Sequence, residues 1–348
     1  MLSLQTKKIL AFLLLLCSFA QAETRFVNIS SSIARPLGMG GAFGAVQDGV
    51  AAIFYNPASF TTFKSDNEDY EKQAFTFIAN PIAPIIVTKD YKKFGSDTDF
   101  KVGDGIRTLT YFVKSLIFST RRIKGGFIFN EESFYAKEKF GNDSFLNSEH
   151  FDFATSTTAF VNFSIAQKVK LGVSASQYSI RNEKGAEKVD GLSFSYGVFL
   201  KPNKRYNFGI TFHSLSDSVK VLEERVKRLA DNSLNISYAY IFIKNLNLAA
   251  ELKNLTAETG AAARELHLGI EYDLFENLTL RTGFYKELNS STSFQTWTFG
   301  LGILDQNLWK SHWESYQERN YLINYALVFE KNKSVKNFWH VLGIYYRI

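Results

Sequence analysis

The side chains best suited to bond-making chemistry are few. There are five histidines, His150, His213, His267, His312 and His340, and a single cysteine, Cys17. Nucleophilic hydrolysis needs a serine beside a histidine that a third group orients. No Gly-x-Ser-x-Gly elbow occurs, and no His-x-x-x-His pair offers two imidazoles to one metal. One cysteine excludes a disulfide framework and any thiolate zinc or iron–sulfur cluster. The expectation is therefore no enzyme, no metal and no cofactor. The titratable groups that do follow a pattern are Glu251, Glu271, Asp273 and Arg281, with His213 and His267. Each occupies the polar parity of a segment whose alternate positions are apolar. They either bridge neighbouring strands across an interior or line a polar pathway, and that interior is wet or polar. Glu251, His267, Glu271 and Arg281 are the candidate lumen-lining residues, whereas His340 falls on the apolar stripe.

The elements that position these groups repeat every two residues. Phe151, Phe153, Thr155, Thr157, Ala159, Val161, Phe163 and Ile165 share one face; Leu266, Leu268, Ile270 and Tyr272 alternate with His267, Gly269, Glu271 and Asp273. A side chain every 180° is the signature of a strand. Fourteen such segments are expected, at 73–88, 105–119, 123–135, 151–165, 168–180, 189–201, 204–214, 232–243, 246–254, 264–273, 277–286, 292–304, 319–330 and 337–348. Pro81 and Pro84 interrupt the first, and the second changes phase near Lys114. Short connections (166–167, 202–203, 244–245, 275–276) alternate with longer polar ones (136–150, 181–188, 215–231, 255–263), and only the long 305–318 breaks the rule. An outer-membrane barrel has an even strand number, short periplasmic turns and long extracellular loops. Aromatics near strand ends (Tyr206, Trp297, Trp309, Trp313, Tyr321, Trp339) suit interface girdles. The alternative is a soluble β-sandwich or periplasmic barrel, with Asp152, Glu251, Glu271, Asp273 and Arg281 facing water.

Composition agrees. Of 348 residues, 45% are apolar and 16% aromatic, too many for a disordered chain. Residues 1–22 carry Lys7 and Lys8, an apolar run from Ile9 to Cys17 and the small-residue site Ala20-Gln21-Ala22, the anatomy of a cleaved signal peptide. Removing 22 residues from 348 leaves 326, and losing two lysines leaves 38 basic against 34 acidic side chains, a net charge near +4. That excess is no footprint for nucleic acid. No later run reaches the roughly 18 apolar residues of a transmembrane helix.

Residues 29–60 (ISSSIARPLGMGGAFGAVQDGVAAIFYNPASF) are not strand-like. Glycines at 38, 40, 41, 44 and 49 permit tight turns, and Ala42, Phe43, Ala45, Val46, Val50, Ala51, Ile53 and Phe54 form one or two short apolar helices. Asp48 is read as a cap of the second or a partner for a basic residue of the lumen, and Asn56-Pro57 as its terminating turn. Gly38-Met39-Gly40-Gly41 lacks the preceding strand of a dinucleotide site.

Ser30-Ser31-Ser32, Ala34-Arg35, Leu37 to Ala42, Asp48 and Asn56-Pro57-Ala58 resemble the N-terminal hatch of FadL/TodX-type outer-membrane transporters, and equally their PorV-like and UPF0164 relatives. The resemblance implies an all-β fold: a transmembrane antiparallel barrel of about 14 strands whose lumen holds a small N-terminal helical hatch. It implies hydrophobic ligands binding between hatch and wall and moving without energy input. The domains expected are 1–22 signal peptide, 23–62 hatch and 63–348 barrel. Gly38, Met39, Gly40, Gly41, Asp48, Asn56, Pro57 and Ala58 are the candidate hatch and gating residues. The leading expectation is passive transport of small hydrophobic compounds, fatty-acid-like or aromatic. The alternative is a PorV-like shuttle or structural component of a secretion system. Expected partners are outer-membrane lipid, a hydrophobic ligand or secreted proteins, and the location is the outer membrane. The chain is short for a FadL-type transporter, and 215–231 is charged where a ligand-capturing platform would be apolar.

Overall fold

The computed structural model describes residues 26–29, 34–61, 74–79, 112–136, 151–181, 188–215, 233–243, 245–256, 264–275, 278–288, 295–303, 321–331 and 336–347. Fourteen antiparallel strands form one continuous sheet: β2 (Ala74–Ala79), β3 (Val113–Ser119), β4 (Ile123–Ala136), β5 (Phe151–Ala166), β6 (Val169–Arg181), β7 (Lys188–Leu200), β8 (Tyr206–Leu215), β9 (Ser233–Ile243), β10 (Leu246–Lys253), β11 (Glu265–Phe275), β12 (Leu278–Glu287), β13 (Gln295–Ile303), β14 (Tyr321–Lys331) and β15 (Lys336–Arg347). Each pairs with its sequence neighbour. The last returns to the first through Tyr346↔Ala79 and Arg347↔Ile78, which closes the ring. Closure leaves no free sheet edge, the condition a strand must meet in hydrocarbon. A short strand not expected from the sequence, β1 (Phe26–Ile29), pairs in parallel with β15 through Phe26↔Trp339 to Ile29↔Leu342.

The expected segments coincide with these strands, displaced by a residue or two at most ends. The first two are described only at 74–79 and 113–119. The phase change at Lys114 is a bulge. Ile78 pairs with Ser115 and Ala79 with Val113, so Lys114 is skipped in the ladder and is buried beside Ser115.

The two faces of the sheet differ as a membrane barrel requires. Large apolar side chains stand exposed on alternate positions from β3 to β11 and again on β13, among them Leu116, Phe163, Phe194, Ile210, Ile236, Ile270 and Phe299. The intervening positions are buried and polar, including Thr158, Ser176, Thr211, Asn235, Glu251, Glu271 and Arg281. A soluble sandwich does the reverse. It buries the apolar stripe against a second sheet, and no second sheet is present among the described residues. An apolar band encircling a closed wall matches hydrocarbon. The fold is a transmembrane β-barrel.

Candidate functional site: the hatch and its seat

The barrel interior is filled by the N-terminal segment. It contains two short helices, α1 (Ala34–Gly38) and α2 (Val50–Tyr55), and a single 3₁₀ turn at Pro57–Ser59. The sequence placed apolar helix at 42–46 as well. There the chain instead forms turns, because Gly40 and Gly41 take left-handed φ of 63° and 74°. α1 lies upstream and includes Arg35-Pro36, with Pro36 early enough to cost no helical hydrogen bond.

Three apolar clusters seat the hatch. Ala34 and Leu37 pack with Ala326, Val328 and Val341 on β14 and β15. Met39, Phe43, Val46 and Tyr55 join Ala239 and Ala249 on β9 and β10. Val50, Ile53 and Phe60 join Ile78, Ile117, Ile128 and Phe160 on β2 to β5. Between these clusters the backbone of the hatch meets glycines of the wall. A Cβ on Gly197 of β7 would collide with the Asn56 carboxamide, and one on Gly283 of β12 with the Gly40 amide. Gly172, Gly209, Gly269 and Gly300 serve the same close approach on β6, β8, β11 and β13. Within 28 residues (34–61) the hatch bears on all fourteen wall strands.

The polar contacts are equally specific. Arg35 on α1 gives two hydrogen bonds to Glu271, Nε to Oε2 at 2.9 Å and Nη2 to Oε1 at 2.8 Å, and its Nη1 lies 3.0 Å from Asp48. Arg281 approaches the same carboxylate at 2.6 Å through Nε and donates to Asn324 at 2.8 Å. Two guanidiniums and two carboxylates, all buried, thus form a neutral quartet joining hatch to wall. Gly302 leaves the space that the Arg281 guanidinium occupies. Glu251 accepts from the Phe43 and Gly44 amides at 2.8 and 2.9 Å. His267 bridges the Gly40 carbonyl and Glu265, the latter at 2.7 Å, and stacks on Tyr285. Both its ring nitrogens face acceptor oxygens.

Asn56 organises the far end. Its Oδ1 accepts from Ala58 N at 3.0 Å, and its Nδ2 donates to Gly44 O at 2.8 Å and to Val198 O on β7 at 3.2 Å. Asn162 on β5 then donates to the carbonyls of Pro57 and Ala58, both at 2.9 Å. His213 joins the Tyr55 backbone to Ser195, whose Oγ is 2.8 Å from Nδ1, and the Lys253 ammonium lies 5.1 Å above the Tyr55 ring.

The expected residues are therefore brought together. Gly38, Met39, Gly40, Gly41, Asp48, Asn56, Pro57 and Ala58 all contact the wall or the buried quartet, and Glu251, His267, Glu271 and Arg281 all face inward against the hatch. Asp48 is not the α2 cap: Gly49 holds that position with no side-chain bond, and Asp48 pairs with Arg35, a residue of the hatch itself. His340 points outward, bonded to Tyr325. His150, His312, Trp309, Trp313 and the 216–231 segment lie outside the described residues, as do the side chains of Asp152, Tyr321 and Trp339. In the sequence Arg35 stands only as part of the hatch motif, and neither it nor Asn162 nor the wall glycines are among the candidate site residues. The signal of Arg35 is a charge set between apolar stretches of that motif.

The sequence matches no known family profile and no curated protein. Among solved structures, the toluene transporter TodX of P. putida aligns at 13% identity over 91% of this chain and 96% of its own, with a TM-score of 0.50. A FadL homologue of Pseudomonas aeruginosa aligns at 13% identity over 94% of this chain and 97% of its own, with a TM-score of 0.44. The likeness to TodX shows the fold: a FadL/TodX-type barrel, here with a hatch seated in its lumen.

Proposed function

We propose that this chain is an outer-membrane barrel for the passive transport of small hydrophobic compounds, fatty-acid-like or aromatic, with the hatch as its gate. The observation that carries the reading is the buried quartet Arg35, Asp48, Glu271 and Arg281. It ties a small separate segment to the wall by contacts that can break as a unit, which suits a gate better than a filler. The name of TodX, a toluene transporter sharing this fold, points to the same substrate class. The reading of 1–22 as a cleaved signal peptide and the alternation of short and long connections together support an orientation with the short turns on the periplasmic side. Gly38 to Gly41 form the pivot near α1, and Asn56-Pro57-Ala58 the fixed exit into the wall.

The test is uptake of a labelled long-chain fatty acid and of toluene by liposomes containing the full mature chain. Uptake above that of empty liposomes, together with a raised leak of small polar solutes when 23–60 is deleted, supports a gated transporter. Uptake equal to empty liposomes removes transport, and an unchanged leak removes the plug.

One feature favours a second reading, a PorV-like barrel serving secretion or surface proteins. The hatch meets every strand of the wall, as in a permanently closed cylinder. Capture of surface proteins by a barrel that transports nothing would select that role.

A further inference from the structure

The short turns of one half of the barrel form a basic rim. The β3–β4 turn holds Arg121 and Arg122, the β5–β6 turn Lys168, and the β7–β8 turn Lys204 and Arg205, all five exposed. No acidic residue occurs in 119–124, 165–170 or 200–206, whereas the β11–β12 connection contains Glu276. The five cations make no ion pair among the described residues.

They are not needed to build the turns. Thr120 Oγ1 closes the first, accepting from Ile123 N at 3.1 Å and donating to Ile123 O at 2.9 Å. Asn203 Oδ1 closes the third, accepting from the amides of Arg205 and Tyr206 at 2.8 and 3.0 Å. The turns are also knitted side by side through the backbone, Ser164 N to Arg122 O and Lys201 N to Lys168 O. Neighbouring turns stand two strands apart, about 10 Å at the usual strand spacing. That is about one screening length at 0.1 M salt, so these like charges repel one another unless an anionic surface faces them.

The outer face beside the rim identifies that surface. Ile123 follows Arg122 directly, and Phe163, Ile165, Leu171 and Phe208 are exposed on the same strands. The cations therefore sit where the apolar band ends, at the depth of lipid headgroups. We propose that the rim formed by Arg121, Arg122, Lys168, Lys204 and Arg205 binds anionic phospholipid headgroups in the leaflet facing the short turns, and so gives the barrel a lipid-anchored side.

The full mature chain, purified in a non-ionic detergent, is offered equal phosphatidylglycerol and phosphatidylcholine, and the retained lipid is counted by native mass spectrometry. The expected result is a preference for phosphatidylglycerol that falls about fivefold per cation removed, from roughly 1 kcal/mol for each basic residue at an anionic surface. It falls at least tenfold when all five are changed to glutamine. Heat-modifiable mobility checks that this variant folds; if it does not, the pairs R121Q/R122Q and K204Q/R205Q carry the test. Arg264→Gln with Lys331→Gln, on the opposite rim, keeps the preference. Equal retention of the two lipids by the wild type, a rim variant with wild-type preference, or the same loss in the opposite-rim pair each overturns the proposal. So does capture of an acidic periplasmic protein without lipid preference, which would assign the rim to protein docking.

Discussion

Arg35 and Glu271, 236 positions apart in sequence, are joined by two parallel hydrogen bonds of 2.8 and 2.9 Å inside the barrel. α1, the first helix among the described residues, is thereby fixed to a strand more than three quarters of the way along the chain. The geometry is a fork against a carboxylate, which a lysine at 35 would not reproduce.

Removing the shared carboxylate should release the hatch. Glu271→Ala leaves the Arg35 and Arg281 guanidiniums facing each other without it, a loss of about 3–5 kcal/mol for a buried pair. The expected outcome in planar bilayers is frequent opening where the wild type is quiet, while the barrel retains its heat-modifiable mobility. A quiet E271A channel would show that the quartet does not hold the gate.

The seat can be spoiled without touching a charge. Gly197→Val puts a branched side chain where the Asn56 carboxamide lies, and overpacking of this kind costs about 1–3 kcal/mol. Limited proteolysis should then cut the hatch at protease levels that leave the wild type whole. Equal resistance would mean that the hatch tolerates a wider seat.

Asn56 and Asn162 should behave as one unit. Each single change to alanine strands a buried backbone group of the same turn, the Ala58 amide in one case and the Pro57 and Ala58 carbonyls in the other, at about 1–3 kcal/mol apiece. Because both hold Ala58, one through its amide and the other through its carbonyl, the double variant should lose less than the two losses added. Thermal melts in detergent provide the cycle, and strict additivity would separate the two contacts.

The outward stripe should reject charge. Ile270→Arg, on the exposed apolar face of β11, should cost about 2–4 kcal/mol of folding into lipid vesicles if it lies near the bilayer midplane. Urea titration in vesicles measures it. A cost near zero would place that stripe in water.

The wall was legible because parity is local. A strand declares itself in six or eight residues, so all fourteen segments and even the Lys114 bulge could be found from alternation and a break in it. Parity also turned Glu251, His267, Glu271 and Arg281 inward, but a face is not a partner. That Glu271 serves Arg35, or that Glu251 holds the Phe43 and Gly44 amides, depends on contacts across more than 200 positions. The glycine seat was hidden for a related reason. Gly172, Gly197, Gly209, Gly269, Gly283 and Gly300 lie on six strands, and each alone reads as a weak strand residue. The hatch misled at 42–46, where apolar composition suggested helix and two left-handed glycines decided otherwise. β1 is only four residues long, too short for alternation to register.

Because the plug reaches right round the inside of its cylinder, it also acts as a gauge. α1 rests against β14 and β15, which follow every other described strand in the chain, so an early segment can be fitted only after these late staves are in place. A cylinder closed one hairpin short would offer no room for it. Correct circumference and correct plugging are then one event, and an assembly error in either would surface as a fault in both.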